Sequence, residues 1–389
     1  MIVVVGAGPA GIAAALRVHE CGAPVTVIDD NVAPGGQIWR GDSANAWVRR
    51  FRDADIAILR GTRVITGDAG AQWLLLEGPE GARKISYSKL VLATGSRELF
   101  LPFPGWTLPG AFGAGGLQAL VKSGLSVAGR KIVVGGTGPL LLAVAAYLRQ
   151  HGAEVKLIAE QAGIGSLAAF AGTLLRRPKK ILQGGGLALT LAGIPYMNDC
   201  WVTAAHGDGR LHSVTLRRGR KEWLEDCDYA AIGYGLVSND ELETFLGPSA
   251  NIHAARTGEV ELSLIEGEIA GLEAAGRGEI AASLCGKRDK ARRFAAAIDA
   301  TFALRGELKS LPDPGTIVCR CEDVTAERLR DFTDSRAAKL QTRCGMGPCQ
   351  GRICGPATQF LYGWKPGSLR PPLFPASVGS LLPLERTEP

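Results

Sequence analysis

The chain has 389 residues, 46% hydrophobic and 21% Asp, Glu, Lys or Arg, a balance that excludes disorder and overfills a single core, so two or three domains are expected. Its formal charge of +6 is too weak to argue for nucleic acid, and no run of about 18 apolar residues offers a transmembrane segment. The opening MIVVVGAGPAG lacks the charged flank and cleavage site of a signal peptide, which predicts a cytoplasmic location where clustered cysteines mean metal or redox chemistry rather than disulfides.

Residues 2–29 read as a β-branched strand, a glycine turn, an Ala-rich helix and a second strand ending in an acid. Gly6 permits the tight turn, Gly8 lets backbone amides approach a pyrophosphate, and Gly11 allows helix and strand to pack closely. Pro9 and Ala10 open the helix, whose N-terminus faces the phosphates. Asp29, followed by Asp30, stands where an acid binds the ribose hydroxyls of an adenine nucleotide. Residues 91–105 continue with a buried-strand run, then Thr94-Gly95 and a Pro-rich crossing segment.

Residues 132–160 repeat the first pattern about 130 residues later, which points to two doubly wound α/β domains. Gly136 and Gly138 remain, but Leu141 replaces the third glycine and should hold the helix away from its strand. A structural duplicate whose ligand is lost or changed is favoured over a working NAD(P) site. Residues 227–242 read as a returning strand, 268–305 as a long Ala-rich helix pair, and 311–315 as a linker. The expected domains are 1–109 with 226–305, an inserted 110–225, and a small helical domain over 306–389.

Five of the nine cysteines fall together, at Cys319, Cys321, Cys344, Cys349 and Cys354. Four thiolates satisfy a [2Fe–2S] cluster, two on each tetrahedral iron. Zinc fits the CxC arm less well, and unligated thiols are the other alternative. Thr325 reads as the N-cap of a helix between the arms, with Glu327 in its first turn and Leu329, Phe332 and Leu340 on its apolar face. Arg320, Arg343 and Arg352 stand close enough in sequence to offset cluster charge, or are solvated surface charges.

The stretch CRCEDVT…TRCGMGPCQGRICGP resembles the BFD-like [2Fe–2S] domain. With GAGPAG, PGGQIWR, LATG, GGTGPLLLA, LLRRPKK and GYGLVSN, the whole resembles the α subunit of heteromeric amine dehydrogenases, the group of D-hydroxyproline dehydrogenase, opine oxidases and hydrogen cyanide synthase. The resemblance implies Cys319, Cys321, Cys349 and Cys354 as ligands, with Cys344 a packed thiol and ligation by it the alternative, and Gly36, Gln37, Thr94 and Gly95 among the cofactor contacts. It implies FAD at the first turn, with an adenine nucleotide lacking flavin as the rival. The family's Gly-Asp pair, which ends the FAD site, has its best counterpart in Gly258-Glu259, on an abbreviated strand.

The resemblance further implies an electron-transfer subunit. An FAD-containing β subunit of the D-amino-acid-oxidase type would oxidise a C–N bond of an amino or imino acid such as D-hydroxyproline, proline, an opine or glycine. FMN at a subunit interface is a further implied component, as is a small ferredoxin-like γ subunit. Electrons would reach a quinone or dye acceptor, the chain lying peripheral to the inner face of the membrane. No CxxC pair is placed to face a flavin, which argues against disulfide reduction. The basic runs at 176–180 and 287–293 are solvated faces or a dock for an acidic partner. Two other readings stay open: a self-contained NAD(P)H-dependent flavin reductase using residues 136–160, and a nucleotide-binding scaffold.

Overall fold

The computed structural model describes residues 1–174, 177–255, 258–365 and 367–382. Part of the basic run at 176–180, and Arg256 and Thr257 just before the Gly258-Glu259 pair, lie outside them. The chain folds into two compact units. Met1–Arg97, Ser238–Ala295 and the tail from Ser368 form the first, and Glu98–Val237 with Ala296–Gly367 form the second.

The second unit therefore interrupts the first, and it is larger than residues 110–225. Leu101, Phe103 and Trp106 of the Pro-rich segment, with Tyr234, are buried in its core, so burial rather than the Pro-rich composition sets the boundary. The cysteine segment falls within this second unit and packs around a hydrophobic cluster of its own, with Val318, Leu329, Ala338 and Trp364 in it.

In the first unit, strand β1 (Ile2–Val5) leads through the glycine turn into helix α1 (Pro9–Glu20) and strand β2 (Val25–Ile28). The five-stranded sheet has the order Ile252–Ala254, Lys89–Leu92, β1, β2, Ala57–Leu59, parallel throughout. Both faces are covered, which is why its strands are continuous apolar runs. Val4, Val27 and Val91 pack with Ile12 and Ala14 of α1, whereas Val3, Ile28, Leu90 and Leu92 pack against Leu74 and Leu76 of a three-stranded antiparallel sheet.

The second unit repeats this plan with strand β3 (Lys131–Gly136), helix α2 (Pro139–Gln150) and strand β4 (Glu154–Glu160). Its parallel sheet runs Tyr196–Met197, β4, β3, Tyr229–Gly233, Ala111–Gly113, beside a second antiparallel three-stranded sheet. Of the expected helix pair, the first member is α3 (Val260–Ala274), which starts earlier than residue 268. It packs on α1 so closely that a Cβ on Gly267 or Gly271 would meet the carbonyl of Ala10 or Ala14. The second member is Gly278–Thr301.

The cysteine segment departs from the sequence reading. Thr325 is not a helix cap; it ends a two-residue strand, Val324–Thr325, paired antiparallel with Ile317–Cys319, which uses the backbone groups a helix start would need. A short 3-10 turn, Glu327–Leu329, follows. Helix α4 (Ser335–Thr342) begins later and is capped by Asp334, whose carboxylate accepts the Ala337 N–H at 2.8 Å. Leu329 is buried and Phe332 partly so, but Leu340 is 68% exposed. Helix α5 (Cys354–Tyr362) ends the segment.

Candidate functional site

The first glycine turn is built by close packing. Gly6 turns at φ 103°; a Cβ there would strike the Ala93 carbonyl, and one on Gly11 would strike the Gly6 carbonyl. Gly8 differs: its φ is −78° and a Cβ would meet nothing within 4 Å. No side chain caps α1, so its first amides are presented to the space Gly8 leaves clear. An uncapped helix N-terminus behind an unobstructed glycine fits a pyrophosphate.

Asp29 is 5% exposed, and its carboxylate holds the turn itself. Oδ2 accepts the Ala7 N–H at 2.7 Å, and Oδ1 accepts the backbone and side-chain N–H groups of Asn31, both at 2.8 Å. A carboxylate has about four acceptor sites, so a ribose hydroxyl can still be received. Asp30 is exposed, its carboxyl pushed up first by partial desolvation and then by the Asp29 charge. Arg40 donates to Asn31 Oδ1 at 2.9 Å.

Gly35 donates its N–H to the Ala7 carbonyl at 2.8 Å, and a Cβ on Gly36 would lie 3.1 Å from Gly8 Cα. The Gly35-Gly36-Gln37 loop thus lies against the glycine turn. Thr94 and Gly95 are held by Asn239: Thr94 Oγ1 donates to the Asn239 carbonyl, Asn239 Nδ2 to the Thr94 carbonyl and Asn239 N–H to the Gly95 carbonyl. Asn239 carried no role in the sequence reading, although it closes the GYGLVSN motif. Glu259 is the N-cap residue of α3, with Gly258 donating to Ser263 Oγ at 3.2 Å.

The second turn resembles the first in outline and differs in what occupies it. Gly136 makes the same close approach, its hypothetical Cβ striking the Gly233 carbonyl. Leu141 is buried in the core of this unit, so α2 cannot approach the Gly136 carbonyl as α1 approaches that of Gly6. Glu160, 1% exposed, accepts from Gly138 N–H at 2.7 Å, Thr137 Oγ1 at 2.7 Å and Ala162 N–H at 2.8 Å. Burial raises its pKa against those hydrogen bonds.

The chain itself also lies on this turn. Thr137 Oγ1 reaches the Phe302 carbonyl at 3.4 Å, Gln161 Nε2 donates to the Ala303 carbonyl at 3.1 Å, and Arg305 N–H donates to Gln161 Oε1 at 3.2 Å. The Phe302 ring is the nearest group to a Cβ placed on Gly138, at 3.9 Å, and packs edge-on against Phe170 at 5.6 Å. Arg305 stacks over Trp201 at 4.6 Å. Residues 302–305 thus lie against this turn, and only their distance in sequence hid them.

All five clustered cysteines converge. The Sγ atoms of Cys319, Cys344 and Cys354 lie within 4.8 Å of one another, all three buried. Cys354 also contacts Cys349, which in turn contacts Cys321. Cys349 is half-buried and Cys321 exposed. The thiols shift one another in opposite directions: contacts with Cys344 and then Cys354 pull Cys319 far down and Cys354 lowers Cys349, while Cys319 pushes Cys344 and Cys354 up and Cys321 is also raised. The thiolate form is what a metal needs. Gly345 N–H points at Cys319 Sγ at 3.5 Å. A Cβ on Gly347 would run into Cys321, so glycine there lets the two arms close. Arg343 is paired to Glu322 at 2.6 Å, Arg320 lies over Trp106 at 5.8 Å, and Arg352 reaches the Cys349 carbonyl at 3.4 Å.

Glu98 lies outside every motif in the sequence. Its carboxylate accepts from the N-terminal amides of helix Ala114–Lys122, Gly115 N–H among them at 3.0 Å. Burial pushes its pKa up to about 7 despite the amides of Gly115, Gly116 and Ala114.

Comparison with known proteins matches residues 1–262 to the pyridine nucleotide-disulphide oxidoreductases. The chain is 32% identical to hydrogen cyanide synthase subunit HcnB of Pseudomonas aeruginosa, over 90% of each chain. It is 30% identical to an opine oxidase subunit of Rhizobium meliloti, over 98% of each. Among solved structures, L-proline dehydrogenase from P. horikoshii shares the fold at 18% identity and a TM-score of 0.69, over 98% of this chain and 78% of that one. T. acidophilum thioredoxin reductase does so at 18% and 0.52, over 71% of this chain and 97% of that one. Among the described residues no helix is long and apolar enough to cross a membrane.

Proposed function

The chain belongs to the pyridine nucleotide-disulphide oxidoreductase family, and from that premise we propose that it is the electron-transfer subunit of a heteromeric amine or imino acid dehydrogenase. Its relatives HcnB and the Rhizobium opine oxidase protein are named as subunits, which supports a partner that carries the substrate pocket. The observation that carries the reading is the convergence of five cysteines within one segment, three with sulfurs mutually inside 4.8 Å.

When bound, FAD takes up an electron pair and a [2Fe–2S] cluster accepts electrons one at a time, which is the chemical reason to place both on one chain. The chain's own residues do the holding. Gly6, Gly8 and Gly11 shape the turn, Pro9 and Ala10 start the helix aimed at the pyrophosphate, and Asp29 and Asp30 stand at the ribose end. Gly36, Gln37, Thr94, Gly95 and Gly258-Glu259 are the further proposed contacts. Cys319, Cys321, Cys349 and Cys354 are the proposed ligands.

A self-contained NAD(P)H reductase is the weaker reading, because Glu160 and residues 302–305 engage the turn that carries Gly136 and Gly138. Co-purification with a partner, cofactor extraction and assays of iron and labile sulfide test the proposal. Changing all four proposed ligands to Ala should abolish electron delivery to a dye; undiminished delivery refutes the relay. Rapid flavin bleaching by NADH in the isolated chain would favour the reductase instead. Adenine nucleotide without flavin would favour the scaffold.

A further inference from the structure

Two thiolates on one tetrahedral metal, each about 2.3 Å from it, stand about 3.8 Å apart. A [2Fe–2S] unit takes two at each end. The five cysteines divide by burial in a way that does not match two plus two. Cys321 and Cys349 touch each other toward solvent, exposed and half-buried respectively. Cys319, Cys344 and Cys354 touch one another inside, 1%, 8% and 3% exposed. Three inner thiols therefore face two inner positions; of the three, Cys354 also touches Cys349, whereas Cys344 has its side-chain contacts with Cys319 and Cys354.

Cys344 is placed there by the backbone. Arg343 takes a left-handed conformation, φ 67°, at the end of α4, and the Cys344 N–H donates to Thr342 Oγ1 at 3.2 Å. This turn delivers the thiol to Cys319 and Cys354 rather than to solvent.

We propose that Cys344 is a reserve ligand for the inner iron: it stays unligated while Cys319 and Cys354 are bound, and takes the position of either when that thiolate lets go. The proposal rests on the reading that this segment holds a [2Fe–2S] cluster. A thiol held within reach competes for the iron at the high effective concentration of an intramolecular partner. The cluster should therefore resist loss from its buried end and fail from its exposed end.

Single Cys→Ala chains, purified anaerobically, are compared for iron and labile sulfide per chain and for the EPR spectrum after reduction, with circular dichroism reporting the fold. C344A should keep the wild-type iron and spectrum. C319A and C354A should each keep more than about half of the iron with shifted g values, whereas C321A and C349A should fall below about a tenth. C344A/C354A should fall as far. Equal loss from inner and outer single variants, or loss in C344A alone, overturns the proposal.

Should an inner variant fail to fold, C344A still decides the matter. Its cluster should surrender iron to a chelator roughly threefold or more faster than the wild type, and equal rates overturn the proposal. The cluster reading fails separately: wild-type chain holding zinc and no labile sulfide removes it, and the reserve ligand with it.

Discussion

Gly8 and Gly11 sit three residues apart and should respond differently to the same methyl group. Gly11→Ala drives a Cβ into the Gly6 carbonyl, and such overpacking should cost about 1–3 kcal/mol in a denaturant melt. Gly8→Ala meets nothing within 4 Å at an ordinary φ, so stability should hold while bound flavin per chain falls. A Gly8→Ala chain with full flavin content would mean that the nucleotide does not lie over this turn. Glu98 makes a prediction of opposite kind. Its folded pKa of about 7 lies above the ordinary 4.5 because burial penalises the charge, so the folded state holds its proton longer than the unfolded one. That stability is complete below about pH 4.5 and is lost as pH rises through about 7, on the order of 2 kcal/mol. Thermal melts across that window should slope downward with pH for the wild type and flatten for Glu98→Gln. The glycine, acid and cysteine positions were legible because each is a residue type that only certain local geometry or chemistry requires. Glu98 was not, because a glutamate becomes unusual only when a helix N-terminus from elsewhere in the chain closes over it.

Elements were legible where a pattern is local and repeated. The two strand–turn–helix–strand copies follow from apolar runs and glycine spacing, and both glycine turns lie where those runs end. The cap before α4 was misplaced for a physical reason: Thr325 and Asp334 are both competent caps, and strand pairing with Ile317–Cys319 claimed the first. Asp334→Ala should therefore cost about 1 kcal/mol, and Thr325→Ala should stay within about 0.5 kcal/mol at this helix. The reverse order in urea melts would restore the earlier start. Helices α1 and α3 make a sharper case, since the Gly267 backbone lies against the Ala10 carbonyl. Gly267→Val should force the helices apart, lowering Tm and flavin content together, because Ala10 belongs to the turn the nucleotide would use.

At the scale of the whole molecule, the residues proposed for the two redox groups belong to different compact units, the first turn to one and the cysteines to the other. Stripping iron with a chelator under anaerobic conditions should leave the flavin-to-protein ratio unchanged. A parallel loss of flavin would show that the first turn depends on the loaded cluster. The sequence alone determined the doubled α/β plan, the first glycine turn and the cysteine cluster, since each is written in residues that are neighbours along the chain. Only the tertiary structure decided that Phe302 lies against Gly138, that Cys344 joins Cys319 and Cys354, and that the cysteine segment belongs to the second unit. Those outcomes depend on which distant surfaces are buried together, and burial is a property of the packed chain that no local pattern carries.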